Sequence, residues 1–465
     1  MFRSPFAAVL FATAGVLISH AQARADAVDD YVNAEIQKRN IPGLSLAVVR
    51  DAKVVKAAAY GKANVELDVP VTTDTVFQIQ SITKTFTSAA ILSLVEEGRI
   101  ALNDPISKYL DGTPDTWKEI TIRHLLSHTS GIKDFINEPT ASIRLDASEE
   151  EVLKATAPRP LNFQPGDKYA YSNTNYHLLA MVIRKLTGKY YGDFLQERIF
   201  KPLGMTSTRI QDLSAIIPHR ASGYGWSGGK LRNGEYVAQS ILSYGGGGVL
   251  STAPDMARWA IALESEKILK RATFEEAWTP AKFNNGNLSG YGLGWGVDRV
   301  NGHRFVSHSG GHITGFTSNL IFYRDDHLAV IVLTNAGHAN PGAIAQHVAG
   351  LYIPELKPRA AKAIEDKEPK VTALLREIGA GIHQGELNQD QFTPNMWAAL
   401  APQLDALKTQ SHLDGDLKSV ELLSKNEQGG QRFYRYRMIS ANKTHLVTLV
   451  LDKDDKVAGL WAEEE

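Results

Sequence analysis

Gln80-Ser81-Ile82-Thr83-Lys84-Thr85-Phe86 opens an apolar run that reaches Val95. A serine followed one helical turn later by a lysine puts a hydroxyl and an amine side by side on one helix face. Behind them Phe86, Ala89, Ala90, Ile91, Leu92, Leu94 and Val95 are apolar nearly all round. The spacing therefore predicts a helix inside the protein, ending near Gly98. A lysine near the start of a buried helix is costly to desolvate unless its amine has a task. That conflict marks an active site.

Upstream of this helix, residues 27–39 read as a short amphipathic helix. Residues 43–50 and 53–58 read as a hairpin turning at Asp51-Ala52. Downstream, 100–285 is mostly helical patches and turn-rich loops, with helices expected at 122–126, 149–155, 175–186 and 191–199. Strand-like β-branched runs return at 300–306, 316–323 and 329–334, and 341–352 reads as a closing helix. Strands at both ends with helices between them imply one sheet completed by the two ends of a domain, of α/β (α+β) class. The helical middle is an insertion packed against that sheet, and the groove between the layers is a natural site.

The 465 residues carry a formal charge of −1, with 22% charged residues and no long basic or acidic run, so nothing points to nucleic acid. The absence of cysteine excludes disulfides, thiolate metal sites and cysteine catalysis. Residues 1–25 read as a secretory signal peptide. Arg3 supplies the positive start, 6–18 the apolar core, and Ala21-Gln22-Ala23 or Ala23-Arg24-Ala25 the cleavage site. The chain is thus expected to be secreted to a periplasm, with no integral membrane segment after cleavage. Residues 26–356 form the expected main domain and 357–370, charged and proline-bearing, a linker. Residues 371–465 are expected to be a small α+β domain: an amphipathic helix marked by Val371, Leu374, Leu375, Ile378 and Ile382, then short strands at 419–423, 432–439, 445–451 and 457–461. That domain holds no recognisable site in its sequence.

S-x-x-K alone decides little, since it occurs at Ser81/Lys84, Ser130/Lys133, Ser227/Lys230 and Ser440/Lys443. Only Ser81 opens a strongly apolar helix, although a serine there also serves as a helix N-cap. Gly225-Trp226-Ser227-Gly228-Gly229 matches the nucleophile elbow G-x-S-x-G. That elbow needs a core strand before it and a helix after it, and neither flank reads so. His124/His128 and His308/His312 are four apart, but Leu125 replaces the glutamate of H-E-x-x-H and His312 sits in a glycine-rich stretch. No metal and no cofactor are expected.

Ser81 gains weight from its company. Tyr171-Ser172-Asn173 leads into a helix, and His308-Ser309-Gly310-Gly311 ends a strand-like run. The order S-x-x-K, Y-x-N, H-[ST]-G along one chain resembles the β-lactamase and penicillin-binding superfamily of serine hydrolases. Further phrases fit its class C-like branch: Leu102-Asn103-Asp104-Pro105-Ile106, His124-Leu125-Leu126-Ser127-His128-Thr129-Ser130-Gly131, Pro202-Leu203-Gly204-Met205, Gly246-Gly247-Gly248-Val249-Leu250-Ser251-Thr252, and Tyr291-Gly292-Leu293-Gly294-Trp295. The resemblance covers roughly residues 28–355 and leaves the C-terminal domain outside it. It implies a β-lactamase/transpeptidase-like fold, an antiparallel sheet flanked by helices plus an all-helical subdomain.

The chemistry needs these residue types. Ser81 must lose a proton to attack a carbonyl, and Lys84 can take it only as a neutral amine, the form that burial favours. By the resemblance, Tyr171 relays a proton between Ser81 and the leaving group, and Asn173 orients Lys84 and a substrate amide. The resemblance also gives an oxyanion hole from the backbone N–H of Ser81 and that of Gly311, three residues past His308 and next to Gly310.

His308 departs from class C β-lactamases, which carry lysine in K-T-G to meet the antibiotic's carboxylate. It resembles instead certain D-alanyl-D-alanine carboxypeptidases, D-aminopeptidases and esterases of the same fold, and a histidine is cationic only part of the time near neutral pH. The expectation is an exported serine hydrolase forming an acyl-enzyme on Ser81. Its substrate is a small-molecule ester or a D-amino-acid-containing, cell-wall-like peptide or amide. A weak β-lactamase and a non-turnover penicillin-binding or cell-wall sensor protein are the alternatives.

Overall fold

The computed structural model describes residues 26–136, 143–242, 244–357, 361–428 and 431–464, and the chain divides into two compact units between residues 358 and 359. The expected leader at 1–25 and positions 358–360 of the expected linker lie outside the described residues. The linker's last residues, Pro369 and Lys370, open a helix, Pro369–Gln384.

The first unit is built on a seven-stranded antiparallel sheet. Its strands are β1 (Gly43–Arg50), β2 (Lys53–Asn64), β3 (Val69–Pro70), β4 (Gly296–Val300), β5 (His303–His312), β6 (Phe316–Tyr323) and β7 (Leu328–Thr334), in the order β3-β2-β1-β7-β6-β5-β4. The two ends of the unit meet where β1 pairs with β7, from Leu44↔Thr334 to Arg50↔Leu328. β1 and β2 join through Asp51 and Ala52, at φ 50° and 56°. This two-residue left-handed turn matches the twist of paired strands.

Alternation along β1 divides the core. Leu44, Leu46 and Val48 face a cluster with Val28, Val32 and Ile36 of the helix Ala27–Arg39 and Ile344 and Val348 of the helix Pro341–Tyr352. Ala47 and Val49 face the other way, into a cluster with Phe86, Ala90, Leu178 and Val182 of the helical middle. The sheet is therefore covered on both faces, which is why β1 and β7 are buried almost throughout.

Three expected elements change. The run 300–306 is a hairpin and not one strand: Asn301 and Gly302 turn at φ 50° and 95°, with Val300 paired to His303. β5 then continues through the His308 motif to His312, so the motif lies inside a strand. The expected helix 191–199 is Tyr191–Leu195 followed by a wider π turn, Gln196–Phe200, and a short helix, Lys201–Leu203. Pro202, with no N–H to donate, sits just past the wide turn.

The second unit packs the helix Pro369–Gln384 on a four-stranded antiparallel meander, Leu417–Gln428, Gln431–Ser440, Thr444–Leu451 and Val457–Glu464. Val371, Leu375 and Ile378 meet Tyr434, Tyr436 and Leu449 in its core. Two further helices, Pro394–Leu400 and Leu404–Asp414, precede the sheet. Thr393 caps the first of them, accepting from the Met396 N–H.

Candidate active site

Ser81 lies in a 3-10 turn, Gln80–Ile82, directly ahead of the helix Thr83–Glu96. Neither element has a side-chain cap at its start, so the serine is not spent as an N-cap. Gln80 holds φ at 50°, a left-handed conformation uncommon for a residue with a side chain. It is kept there by its amide: Nε2 donates to Gln78 Oε1 at 2.6 Å and to Thr314 Oγ1 at 3.1 Å. Ser318 Oγ donates to the Ile79 carbonyl at 2.8 Å, drawing the turn onto β6.

β4 stops pairing with β5 at Gly296↔Ser307, which leaves 308–312 with an open edge. Gly310 is what lets this strand approach the Ser81 turn. A Cβ there would lie 2.3 Å from the Ile79 carbonyl oxygen and 2.5 Å from Ser318 Oγ. Gly311 is exposed, and a Cβ on it would meet nothing closer than Thr317 Cγ2 at 3.6 Å.

Lys84 is fully buried, with three oxygens around Nζ: Ser81 Oγ at 3.2 Å, Asn173 Oδ1 at 2.9 Å and the Gly246 carbonyl at 2.7 Å. Two of these only accept. A neutral amine satisfies the set by donating to them and taking the Ser81 hydroxyl proton on its lone pair. Burial lowers the ammonium pKa from 10.5 to about 7, with the negative charge of Asp134 partly opposing. The rings of Tyr171 and Tyr176, 4.7 and 5.4 Å away, favour the cation. Such contacts are worth roughly 0.5–2 kcal/mol, less than the desolvation they oppose. The glycine run 245–248 explains how a carbonyl reaches so deep: a Cβ on Gly245 would sit 2.6 Å from the Tyr176 carbonyl.

Asn173 opens the helix Asn173–Thr187. Its Oδ1 accepts from Lys84 and from Tyr244 Oη at 2.7 Å, and its Nδ2 donates to Asp134 Oδ2 at 2.8 Å. Tyr171 is 38% exposed, and the centre of its phenol ring lies 4.7 Å from Lys84 Nζ. Burial pushes that phenol above its ordinary range, so it is protonated at neutral pH. The loop is fixed from beneath by buried His128, whose Nδ1 accepts from the Ser172 N–H and from Asn175 Nδ2, both at 3.2 Å. The His128 ring lies 4.4 Å from that of Tyr171.

His308 differs from expectation. It is buried, not partly cationic: its Nδ1 is 2.7 Å from the Ser309 carbonyl and its Nε2 is 2.8 Å from Tyr291 Oη. A carbonyl can only accept, so Nδ1 carries the proton and Nε2 accepts from the phenol. Burial, and then the charge of Lys84, lower its pKa to about 3. Tyr291 is one residue that sequence reasoning missed, though its motif was noticed. A buried tyrosine hydroxyl needs a partner. Gly294 seats the motif on the Ser81 helix at φ 87°, where a Cβ would lie 2.6 Å from Ser88 Cβ.

The look-alikes fall elsewhere. Ser130 Oγ donates to Asn175 Oδ1 at 2.7 Å inside the fold. Ser227 sits on an exposed hairpin whose turn is Gly228-Gly229, with no core strand before it or helix after it. Ser440 bonds Lys443 backbone-to-backbone across a strand turn in the second unit. His124 Nδ1 accepts from the Thr121 N–H in a helix cap. Among the described residues no group of three or more metal-ligating side chains occurs.

The family profile described as Beta-lactamase matches residues 28–352. Penicillin-binding protein 4* of Bacillus subtilis (strain 168) is 33% identical over 296 residues, 60% of this chain and 64% of that protein. Protein flp of Staphylococcus aureus (strain N315) is 28% identical over 343 residues, 69% of this chain and 65% of its own. The matched stretch thus spans just under two thirds of either relative. A solved octameric penicillin-binding protein homologue from Pyrococcus abyssi superposes with a TM-score of 0.63 at 23% identity, covering 92% of this chain and 91% of its own, a likeness of fold. A D-stereospecific amidohydrolase from Streptomyces sp. superposes with a TM-score of 0.60 at 25% identity, over 70% of this chain and 98% of its own. With the matching profile running over most of its length, the chain belongs to the beta-lactamase family of serine hydrolases.

Proposed function

We propose that the protein hydrolyses esters or D-amino-acid amides through an acyl-enzyme on Ser81, after export and loss of residues 1–25. The observation that carries this is the shell around Lys84 Nζ, two pure acceptors and one serine hydroxyl, which suits a neutral amine acting as base. Lys84 takes the Ser81 proton as Oγ attacks the carbonyl. Tyr171, held protonated, passes a proton to the leaving group, and the steps reverse when water attacks the acyl-enzyme.

The developing oxyanion is met by the Ser81 and Gly311 N–H groups. In an extended strand residues i and i+2 present their backbone groups to the same side. The Ser309 carbonyl lies 2.7 Å from His308 Nδ1, and Gly311, two residues on, is exposed. Neutral His308 offers no fixed charge to a substrate carboxylate, which ranks esters and amides above β-lactams and D-alanyl-D-alanine ends. The amidohydrolase neighbour agrees with that ranking. Export rests on the composition of residues 1–25. Among the described residues no helix is long and apolar enough to cross a membrane.

One panel tests the reading: p-nitrophenyl esters, D-alanyl-D-alanine peptides, D-amino-acid amides and a chromogenic cephalosporin, with Ser81→Ala and Ser227→Ala beside the wild type. Turnover of esters or D-amides, abolished only in Ser81→Ala, supports it. Activity that survives Ser81→Ala and disappears in Ser227→Ala rejects it. Acylation by penicillin with no turnover of any substrate means a sensor protein instead.

A further inference from the structure

We propose that Tyr244 is a positioning residue for the base: its phenol shares the Asn173 acceptor with Lys84, and its backbone folds the glycine loop that supplies the second acceptor. This deepens the acyl-enzyme reading and rests on it. Tyr244 Oη lies 2.7 Å from Asn173 Oδ1, the same atom that accepts from Lys84 Nζ at 2.9 Å. The direction of both bonds is fixed from the far end of the amide. The Asp134 carboxylate oxygen Oδ2 can only accept, so it takes Nδ2 at 2.8 Å and turns Oδ1 toward the tyrosine and the lysine. The phenol is therefore the donor, and burial keeps it protonated by raising it well above its ordinary range.

The second acceptor is the Gly246 carbonyl, 2.7 Å from Nζ. The Tyr244 carbonyl accepts from the N–H groups of Gly247 and Gly248, at 3.2 and 3.1 Å, which closes the glycine loop into a turn. A Cβ on Gly246 would lie 2.3 Å from Tyr244 Cε2 and 3.1 Å from Lys84 Nζ, so the loop is pressed between ring and amine. The ring in turn stands edge-on to Phe135 at 5.7 Å, in a small cluster with Ile241. One residue thus sets two of the three oxygens around Nζ.

Sharing an acceptor bears on charge. An amide oxygen that already accepts one proton accepts a second more weakly, and a weaker acceptor favours the ammonium less. The other ionisable groups facing the amine or the phenol are Asp134, Tyr171, Tyr176, His128, His308, and His177, whose ring lies 6.4 Å from that of Tyr244. Tyr244→Phe leaves all of them in place. Packing alone by Tyr244 would change the rate at every pH alike, and a pH profile separates the two roles.

The test is kcat/KM against pH for a p-nitrophenyl ester, on the full chain with and without Tyr244→Phe. Losing the phenol should tighten the Lys84–Asn173 bond and move the acid limb up from about pH 7 by about 0.5–1 unit. At pH 6 the variant should then lose about 3- to 10-fold more than at pH 9. A fluorotyrosine in place of Tyr244 keeps the ring, donates more strongly, and should move the limb down. Profiles that superimpose after scaling overturn the proposal, as does a limb that moves down in Tyr244→Phe or stays put with fluorotyrosine. NMR titration of the Lys84 amine nitrogen reads the same shift without turnover. A higher Lys84 titration in Tyr244→Phe beside no acylation of Ser81 by any substrate would keep the hold on Lys84 and remove the acyl-enzyme reading. Ser81-dependent turnover beside an unmoved Lys84 would remove only the role of Tyr244.

Discussion

Tyr291 Oη lies 2.8 Å from Nε2 of His308 and donates its proton there, while Nδ1 of the same ring is held by the Ser309 carbonyl. A hydrogen bond donated to the neutral imidazole disfavours its protonated form. Tyr291→Phe removes that donor, so the His308 pKa should climb from about 3 while burial keeps it below 6.5. Histidine-selective NMR titration would follow it, and kcat/KM should fall by about tenfold as the ring loses its tether. An imidazole that titrates unchanged in the variant contradicts the assignment.

The rate should follow Lys84. With the amine titrating at about 7, kcat/KM falls tenfold per pH unit below that value and is level above it. The Tyr171 phenol, pushed up by burial, adds no alkaline limb until well past pH 10. Asp134→Asn removes the charge that holds the ammonium up, so its acid limb should lie lower. A profile flat down to pH 5 in the wild type would remove Lys84 as the base.

Burying Lys84 leaves a mark on stability whose sign can be stated. Its pKa is 10.5 in the unfolded chain and about 7 in the fold, so between these the unfolded chain binds the extra proton. Stability from this group therefore rises with pH from about 7 to 10.5 and is constant below 7, where both states are protonated. Lys84→Met lacks the effect. Urea unfolding at pH 7 and pH 10 should show the wild type gaining on the variant by on the order of 3 kcal/mol. A gap that does not change with pH contradicts it.

Adjacent glycines should behave differently. Gly310→Ala drives a methyl to 2.3 Å from the Ile79 carbonyl, beside the Ser81 turn. The cost should be about 1–3 kcal/mol in stability. Because the proposed oxyanion donors, the Ser81 and Gly311 N–H groups, flank that contact, the rate should fall on the order of a hundredfold. Gly311→Ala meets only Thr317 Cγ2 at 3.6 Å and should change thermal unfolding by under about 1 kcal/mol. Equal destabilisation by the two substitutions would argue against this strand register.

The sequence carried much of this architecture where local and tertiary signals agree. The strand 329–334 and the closing helix are apolar at nearly every buried position, and the Ser81 helix and the strand 316–323 are mostly apolar although Lys84, Ser318 and Asn319 are buried in them. The Asn301-Gly302 turn was legible too, as the strongest short hairpin signal there is, but a continuous β-branched reading ran across it. Thr393-Pro394 likewise announces a helix start that the polar stretch behind it obscured. The neutrality of His308 was not legible. It depends on a tyrosine 17 residues earlier and on burial that only the closed sheet creates. Asp134 was hidden for the same reason, since only the fold brings it to Asn173.

The central claim is that Ser81 forms a covalent acyl intermediate with Lys84 as its base. The most direct measurement is mass spectrometry of a proteolytic digest after quenching the purified protein with a slow acylating ester or benzylpenicillin. One adduct should form, on the peptide bearing Ser81, absent in Ser81→Ala and formed at least a hundredfold more slowly at pH 7 in Lys84→Met. An adduct on Ser227 or Ser130, or acylation of Ser81 at an undiminished rate without Lys84, would contradict it.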